Sequence, residues 1–261
     1  MTEKRALITG AGRRLGRTMA LYLGQHGHDV AVHFHGSPDG AGEVVDEIRR
    51  MGRNAVAIGA DLTAEAEMQG LVAAAAGALG GPLNLLVNNA SIFEPDDIAT
   101  ATRQSWDRHL ESNLRAPVVL TQRFADQAPP IIHDHRHEAL AQALVVNMID
   151  QRVLKPTPAF MSYTIAKMAL WAFTRTAAQA LAPRIRVNAI GPGPTMIAER
   201  QSEEHFTRQR AACLLQRGAN PGDIAAALGY LIDAPAVTGQ LLCVDGGQHL
   251  AWKTPDILLR E

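Results

Sequence analysis

At 261 residues and 28.1 kDa the chain is long enough to bury a substantial core, and 47% hydrophobic with 20% charged residues argues against a disordered or membrane-embedded protein. A formal net charge of -1 excludes bulk attraction to nucleic acid or an anionic membrane, so any anionic ligand has to be caught locally. Only two cysteines, Cys213 and Cys243, are present, which excludes a disulfide framework; the opening MTEKRALITG, whose apolar run breaks at Gly10, resembles neither a secretory signal nor a spanning helix, and the cytoplasm is the expected compartment.

Short apolar runs alternate with longer amphipathic stretches from the start of the chain. ALIT is followed by a helical pattern from Arg14 to His26, then VAVHF, a second helix to Met51, and AVAIGA. The series continues with LVAAAAGALGG, a helix closing at glycine, then LNLLVNNA, a helical region around Trp106 to Phe124, and ALVVNMI. A long helix from about Tyr163 to Leu181, then IRVNAIG and QLLCVDGG, complete a count of seven strands. Runs as continuously apolar as LVV and LLV suit strands covered on both faces, so the expected fold class is α/β: one doubly wound, parallel, seven-stranded sheet in a single domain spanning 1–261. The stretch 193–218 is polar and of mixed charge between two proline-glycine turns, which suits a substrate lid. HDHRHE, from His133 to Glu138, has no common metal-ligand order and reads as a solvated loop entering a helix; no metal site is expected.

Gly10, Gly12 and Gly16 follow the first strand and lead into a helix. Glycine allows a tight turn and close backbone approach to a pyrophosphate, and the helix start offers free N–H groups. Asp61 ends the third strand, where its carboxylate can accept from an adenine amino group or cap the next helix, a role Thr63 can take instead; Asn89 in NNA ends the fourth strand beside the same crevice. The second strand ends HFHGS rather than in the acid that binds a free ribose, so His35, Ser37 and Arg14 favour a 2′-phosphate and hence NADPH. Asp39 keeps NAD open if the loop is shifted, and the second early histidine, His33, is read with His35 as a phosphate ligand.

Tyr163 and Lys167 stand one helical turn apart in SYTIAK. A phenol of pKa about 10 needs a nearby cation to serve in acid-base chemistry near neutral pH, and Lys167 supplies one from the same helix face while remaining able to bind a cofactor ribose. Asn113 in ESNLRAP is a candidate to hold a water in a proton relay. Asp150, where a strand ends before the Tyr163 helix, is the most selective residue. Beside a reacting ketone an ionised carboxylate opposes the growing negative charge on oxygen, whereas a ring C=N bond needs a proton on nitrogen as hydride arrives at carbon.

From TGAGRRLG through NNA, the Tyr163 and Lys167 pair and GPG to VDGG, the chain resembles the short-chain dehydrogenase/reductase family over nearly its whole length. The resemblance implies a Rossmann-type domain, a homotetramer or homodimer, and cofactor contacts extending to Leu15, Leu62, Ala90, Pro192 and Gly193. Two departures, Arg14 for the turn's middle glycine and Asp150 for the usual serine, are similar to the pteridine reductase branch, as are HFHGS, NNASIF and NMID. That branch implies that Arg14 contacts both cofactor phosphate and pterin, that Phe93 stacks on the pterin, and that Ser91 lies nearby. Gly36, where the branch often has a basic residue, leaves more of the phosphate binding to Arg14, His35 and Ser37. Read from the residues alone, Phe93 can equally pack in the core or against the lid, and a carbonyl-reducing enzyme or a cofactor-binding regulator remain the alternatives to a dihydropteridine reductase.

Overall fold

The computed structural model describes residues 4–198, 201–252 and 254. Its centre is a seven-stranded, wholly parallel sheet of order β3-β2-β1-β4-β7-β8-β9. The strands are β1 (Arg5–Ile8), β2 (Asp29–Phe34), β3 (Ala55–Gly59), β4 (Leu85–Asn88), β7 (Ala143–Met148), β8 (Ile185–Pro192) and β9 (Leu241–Val244). The seven expected strands are all present, each within a residue or two of its apolar run.

The pleat sends alternate residues to opposite layers, which is why these strands are apolar throughout. Val30 and Val32 of β2, with Leu85 and Val87 of β4, pack with α1 (Arg14–Gln25), α2 (Pro38–Arg50) and α8 (Pro221–Asp233). Ala31 and Leu86, between them in sequence, face α3 (Glu65–Ala78), α5 (Ala116–Gln127) and α6 (Met161–Leu181), where Phe124 is wholly buried. Each layer removes a ladder of aliphatic side chains from water, at about 25 cal/mol per Å² of apolar surface. Strand order reverses between β1 and β4, so the loops leaving their C-terminal ends diverge and open a crevice.

The helical region around Trp106 to Phe124 is present as α4 (Arg103–Leu110) and α5, joined by one wide π-type turn, Glu111–Arg115. One local expectation is corrected. HDHRHE does not enter a helix. It forms the turn of an antiparallel hairpin, β5 (Ile132–His133) with β6 (Ala139–Leu140), because Asp134 Oδ1 accepts from the backbone N–H groups of Arg136 and Glu138 and closes the chain on itself. No cluster of metal-ligating side chains occurs among the described residues. Cys213 is a buried free thiol and Cys243 a partly buried one, and no described helix is long and apolar enough to cross a membrane.

Within 193–218 lies one helix, α7 (Glu203–Ala211); residues 199 and 200 fall outside the described set. Arg210 donates to the carbonyls of Pro194, Gly218 and Ala219 and to Asn220 Oδ1, tying the exit from β8 to the entry into α8.

Candidate active site

A crevice of about 640 Å³ runs along the C-terminal edge of the sheet. Gly10, Arg14, Leu15, Gly16, His35, Ser37, Asp61, Leu62, Asn89, Ala90, Pro192 and Gly193, the expected cofactor contacts, all line it. At the glycine turn the backbone leaves no room for a side chain. A Cβ on Gly16 would collide with the Gly10 carbonyl oxygen, and Gly10 itself has φ +62°. Helix α1 starts at Arg14 without a side-chain cap, so its first N–H groups remain free for a ligand oxygen. Thr9, which the sequence did not mark, locks the turn to the fourth strand: its Oγ1 accepts from the N–H groups of Asn89 and Ala90, both at 2.9 Å, while Asn89 Nδ2 donates to the Thr9 and Gly10 carbonyls. These residues fit a dinucleotide pyrophosphate.

At the ribose corner His35 and Ser37 face the crevice, whereas Asp39 is on the exposed first turn of α2 and does not line it. His33 is a correction. It is buried, accepts the Gly10 N–H at Nδ1 (3.0 Å) and donates from Nε2 to the Ala60 carbonyl (3.0 Å), so both nitrogens are committed to holding the turn and not to phosphate. Burial lowers its pKa, in keeping with this neutral form. Asp61 Oδ1 accepts from both the N–H and the hydroxyl of Thr63, which holds its carboxylate below the usual range and fixes the loop there.

The candidate catalytic residues converge from two elements. Asp150 stands two residues past the end of β7 and Tyr163 enters from the first turn of α6; the phenol donates to Asp150 Oδ2 at 3.1 Å. The other carboxylate oxygen accepts from the Arg152 N–H at 2.8 Å, so Asp150 caps a short 3₁₀ turn and faces Tyr163 at once. Lys167 is buried, donates to the Met148 carbonyl at 2.8 Å, and its ammonium lies 5.7 Å from the Tyr163 ring centre. Burial raises the Asp150 carboxyl above the ordinary carboxylate range, against the pull of the Arg152 N–H and the nearby cations. Burial and then the Asp150 charge push the Tyr163 phenol well above its ordinary value, with a hydrogen bond to Ser91 pulling the other way. Burial lowers the Lys167 ammonium to about 8. At neutral pH the phenol therefore carries its proton and directs it at the Asp150 carboxyl.

Asn113 is brought close, but its side chain is already engaged. Within the π-type turn it accepts the Ile92 N–H at 2.9 Å and donates to the Ile92 carbonyl at 2.8 Å, and it is fully buried, so it clamps the loop after β4. That loop carries Ser91 and Phe93 to the crevice wall. Phe93 stacks on Phe160 with ring centres 4.2 Å apart, stands edge-on to Tyr163 at 4.7 Å, and stays 44% exposed. Phe160, in the left-handed conformation at the start of α6, and Arg152, 5.2 Å over its other face, were not singled out in the sequence. Arg14, expected to contact cofactor phosphate and pterin, lines the crevice and donates its guanidinium to the Ile197 and Met196 carbonyls, at 2.9 and 3.4 Å. It joins the glycine turn to the 193–218 segment across the crevice mouth.

A parallel sheet with a glycine-rich turn at its switch point and a Tyr-Lys pair beside the crevice defines a dinucleotide-dependent oxidoreductase. The family model described as short chain dehydrogenase matches residues 4–207, and the chain belongs to that family. Among solved structures it is similar to FolM alternative dihydrofolate reductase 1 from Brucella suis in complex with NADP, at 44% identity and TM-score 0.90, with 97% of this chain and 98% of that one covered. The Brucella canis protein of the same name, also complexed with NADP, is 42% identical with TM-score 0.88 and 98% of each chain covered. Among curated sequences a 3-oxoacyl-acyl-carrier-protein reductase of Staphylococcus aureus is 30% identical over 252 residues, covering 95% of this chain and 98% of that one.

Proposed function

We propose that the protein is a dihydropteridine reductase, acting on a substrate of the dihydrobiopterin, dihydromonapterin or dihydrofolate type. The cofactor is NADP(H), the ligand of the Brucella relatives, and the acid-free ribose corner with His35 and Ser37 suits its extra phosphate. When bound, it supplies the hydride. The chain's own work is to hold a flat ring and deliver a proton to its nitrogen. Tyr163 carries that proton, Asp150 can restore it through their hydrogen bond, and the Lys167 charge eases its departure.

The observation that carries this reading is the 3.1 Å contact between Tyr163 and a carboxyl raised by burial. At this position an ionised Asp150 would repel an alkoxide, whereas a ring nitrogen gaining a proton builds no such charge. The exposed part of Phe93 offers a stacking surface for a planar heterocycle, at about 0.5–1.5 kcal/mol. The Brucella names point to the same chemistry, and the 3-oxoacyl relative keeps a carbonyl substrate as the second reading. On the leading reading residues 193–218 form the substrate lid, latched by Arg14, and the enzyme works in the cytoplasm as a homotetramer or homodimer. The test is NADPH oxidation followed by absorbance with dihydropterins, quinones and an acetoacetyl thioester side by side. Turnover of a dihydropterin above the others is expected; turnover of the thioester alone would overturn the reading.

A further inference from the structure

Helix α6 carries Tyr163 in its first turn, yet it begins without a cap of its own: Phe160 is left-handed at the N-cap position, contributes no side-chain bond, and no acidic residue follows in the first turn. A helix start whose N–H groups lack partners frays, and fraying here would move the proton donor. The missing partners come from elsewhere in the chain. The Asp96 carbonyl accepts from the N–H groups of Phe160 (2.7 Å) and Met161 (3.3 Å), its Oδ1 accepts from the Ser162 N–H (3.1 Å), and its Oδ2 takes a short hydrogen bond from the Ser162 hydroxyl. Asp96 and Ser162 are both buried.

Behind Ser162 stands His109 of α4, wholly buried, with Nδ1 2.7 Å from the Ser162 hydroxyl oxygen and Nε2 accepting the Glu94 N–H at 3.2 Å. Those two contacts fix its protonation. Nε2 accepts, so it carries no hydrogen; Nδ1 therefore holds the ring's one proton and donates it to Ser162, whose own hydrogen goes on to Asp96. The relay of donors runs one way, His109 to Ser162 to Asp96, with every polar atom of the imidazole used. The ring also stands edge-on to Tyr163, centres 6.1 Å apart. One imidazole thus joins α4, the loop bearing Phe93 and the residue preceding Tyr163.

We propose that His109 is a positioning residue: through Ser162 and Asp96 it fixes the first turn of α6 and so aims the Tyr163 hydroxyl at Asp150. The inference rests on Tyr163 as the proton donor and holds for either substrate class. The groups facing the imidazole are the carboxylates of Asp96 and Glu94, which favour a second proton, and the Arg108 guanidinium, which opposes it. Burial outweighs the carboxylates, and a proton on Nε2 would set two donors against each other at Glu94. Acid should therefore open the network.

The test compares His109→Leu, which keeps the bulk and removes both contacts, with His109→Asn, whose amide can replace the Nδ1–H donor, and with Ser162→Ala. The substrate is whichever of dihydrobiopterin and an acetoacetyl thioester the wild-type protein reduces. For His109→Leu and Ser162→Ala, kcat should fall about 10- to 100-fold, the scale of a small misplacement of a reacting group. The Kd for NADPH, read by cofactor fluorescence, should stay within about 3-fold, since neither contact touches the glycine turn or the ribose corner. His109→Asn should restore most of kcat and lose the acid limb that His109 imposes on the pH profile of kcat. Wild-type kcat in His109→Leu would overturn the proposal. So would a parallel loss of NADPH affinity and kcat, or an asparagine variant no better than leucine.

Discussion

On the proposed mechanism Lys167 sets the upper end of the working pH range. Burial brings its ammonium down to about 8, so the charge that favours loss of the Tyr163 proton is present below that pH and disappears above it. The expected outcome is a kcat that falls as pH rises through about 8, and a Lys167→Met variant of low activity with no such limb; a wild-type profile flat to pH 10 would contradict it. That Asp150, Tyr163 and Lys167 meet at the crevice was legible because their placement follows from local facts: the end of an apolar strand run and one helical turn. Phe160, Thr9, Asp96 and His109 were not, since each acquires its role from a partner far along the chain or across the fold. His109 meets Ser162 across 53 residues, and nothing in the spacing of either announces it. His33 misled for the same reason. A polar residue at a strand end can face the ligand or hold the turn, and only the positions of Gly10 and Ala60 decide between them.

Among elements, the parallel strands and the helices between them were readable because their length and apolar continuity exceed what a surface loop can bury. The β5–β6 hairpin was missed because two-residue strands show no alternation, and its turn depends on one aspartate oxygen accepting two N–H groups. The π-type turn at Glu111–Arg115 is equally silent in sequence: an extra residue in a helical turn leaves the apolar pattern nearly intact. Its consequence is local and functional, since Asn113 sits within it and grips both polar groups of Ile92. The loop bearing Ser91 and Phe93 is thereby tied to the helix that leads into α5.

For the molecule as a whole, buried histidines set the acid limit of stability. Burial lowers His28 to about 4 from an ordinary 6.5, and lowers His33 and His109 in the same direction. As pH falls below 6.5 the unfolded chain takes up protons that the folded one refuses. Stability is therefore full above that pH and declines between about 6.5 and 4, by up to roughly 3 kcal/mol for His28. Urea midpoints across this range should fall with pH, and His28→Gln should flatten the slope; an unchanged slope would contradict the assignment. The crevice too belongs to the whole fold, because strand order places the glycine turn, Asp150 and α6 at one edge of the sheet. On the proposed function, what the enzyme reduces turns on Asp150 within that edge. The most direct measurement is kcat/KM with NADPH for dihydrobiopterin and for an acetoacetyl thioester, in the wild-type protein and in Asp150→Ser. Loss of about 100-fold or more with the pterin, and no loss or a gain with the thioester, is the predicted result; pterin reduction left intact by the serine would contradict the role given to the Asp150–Tyr163 pair.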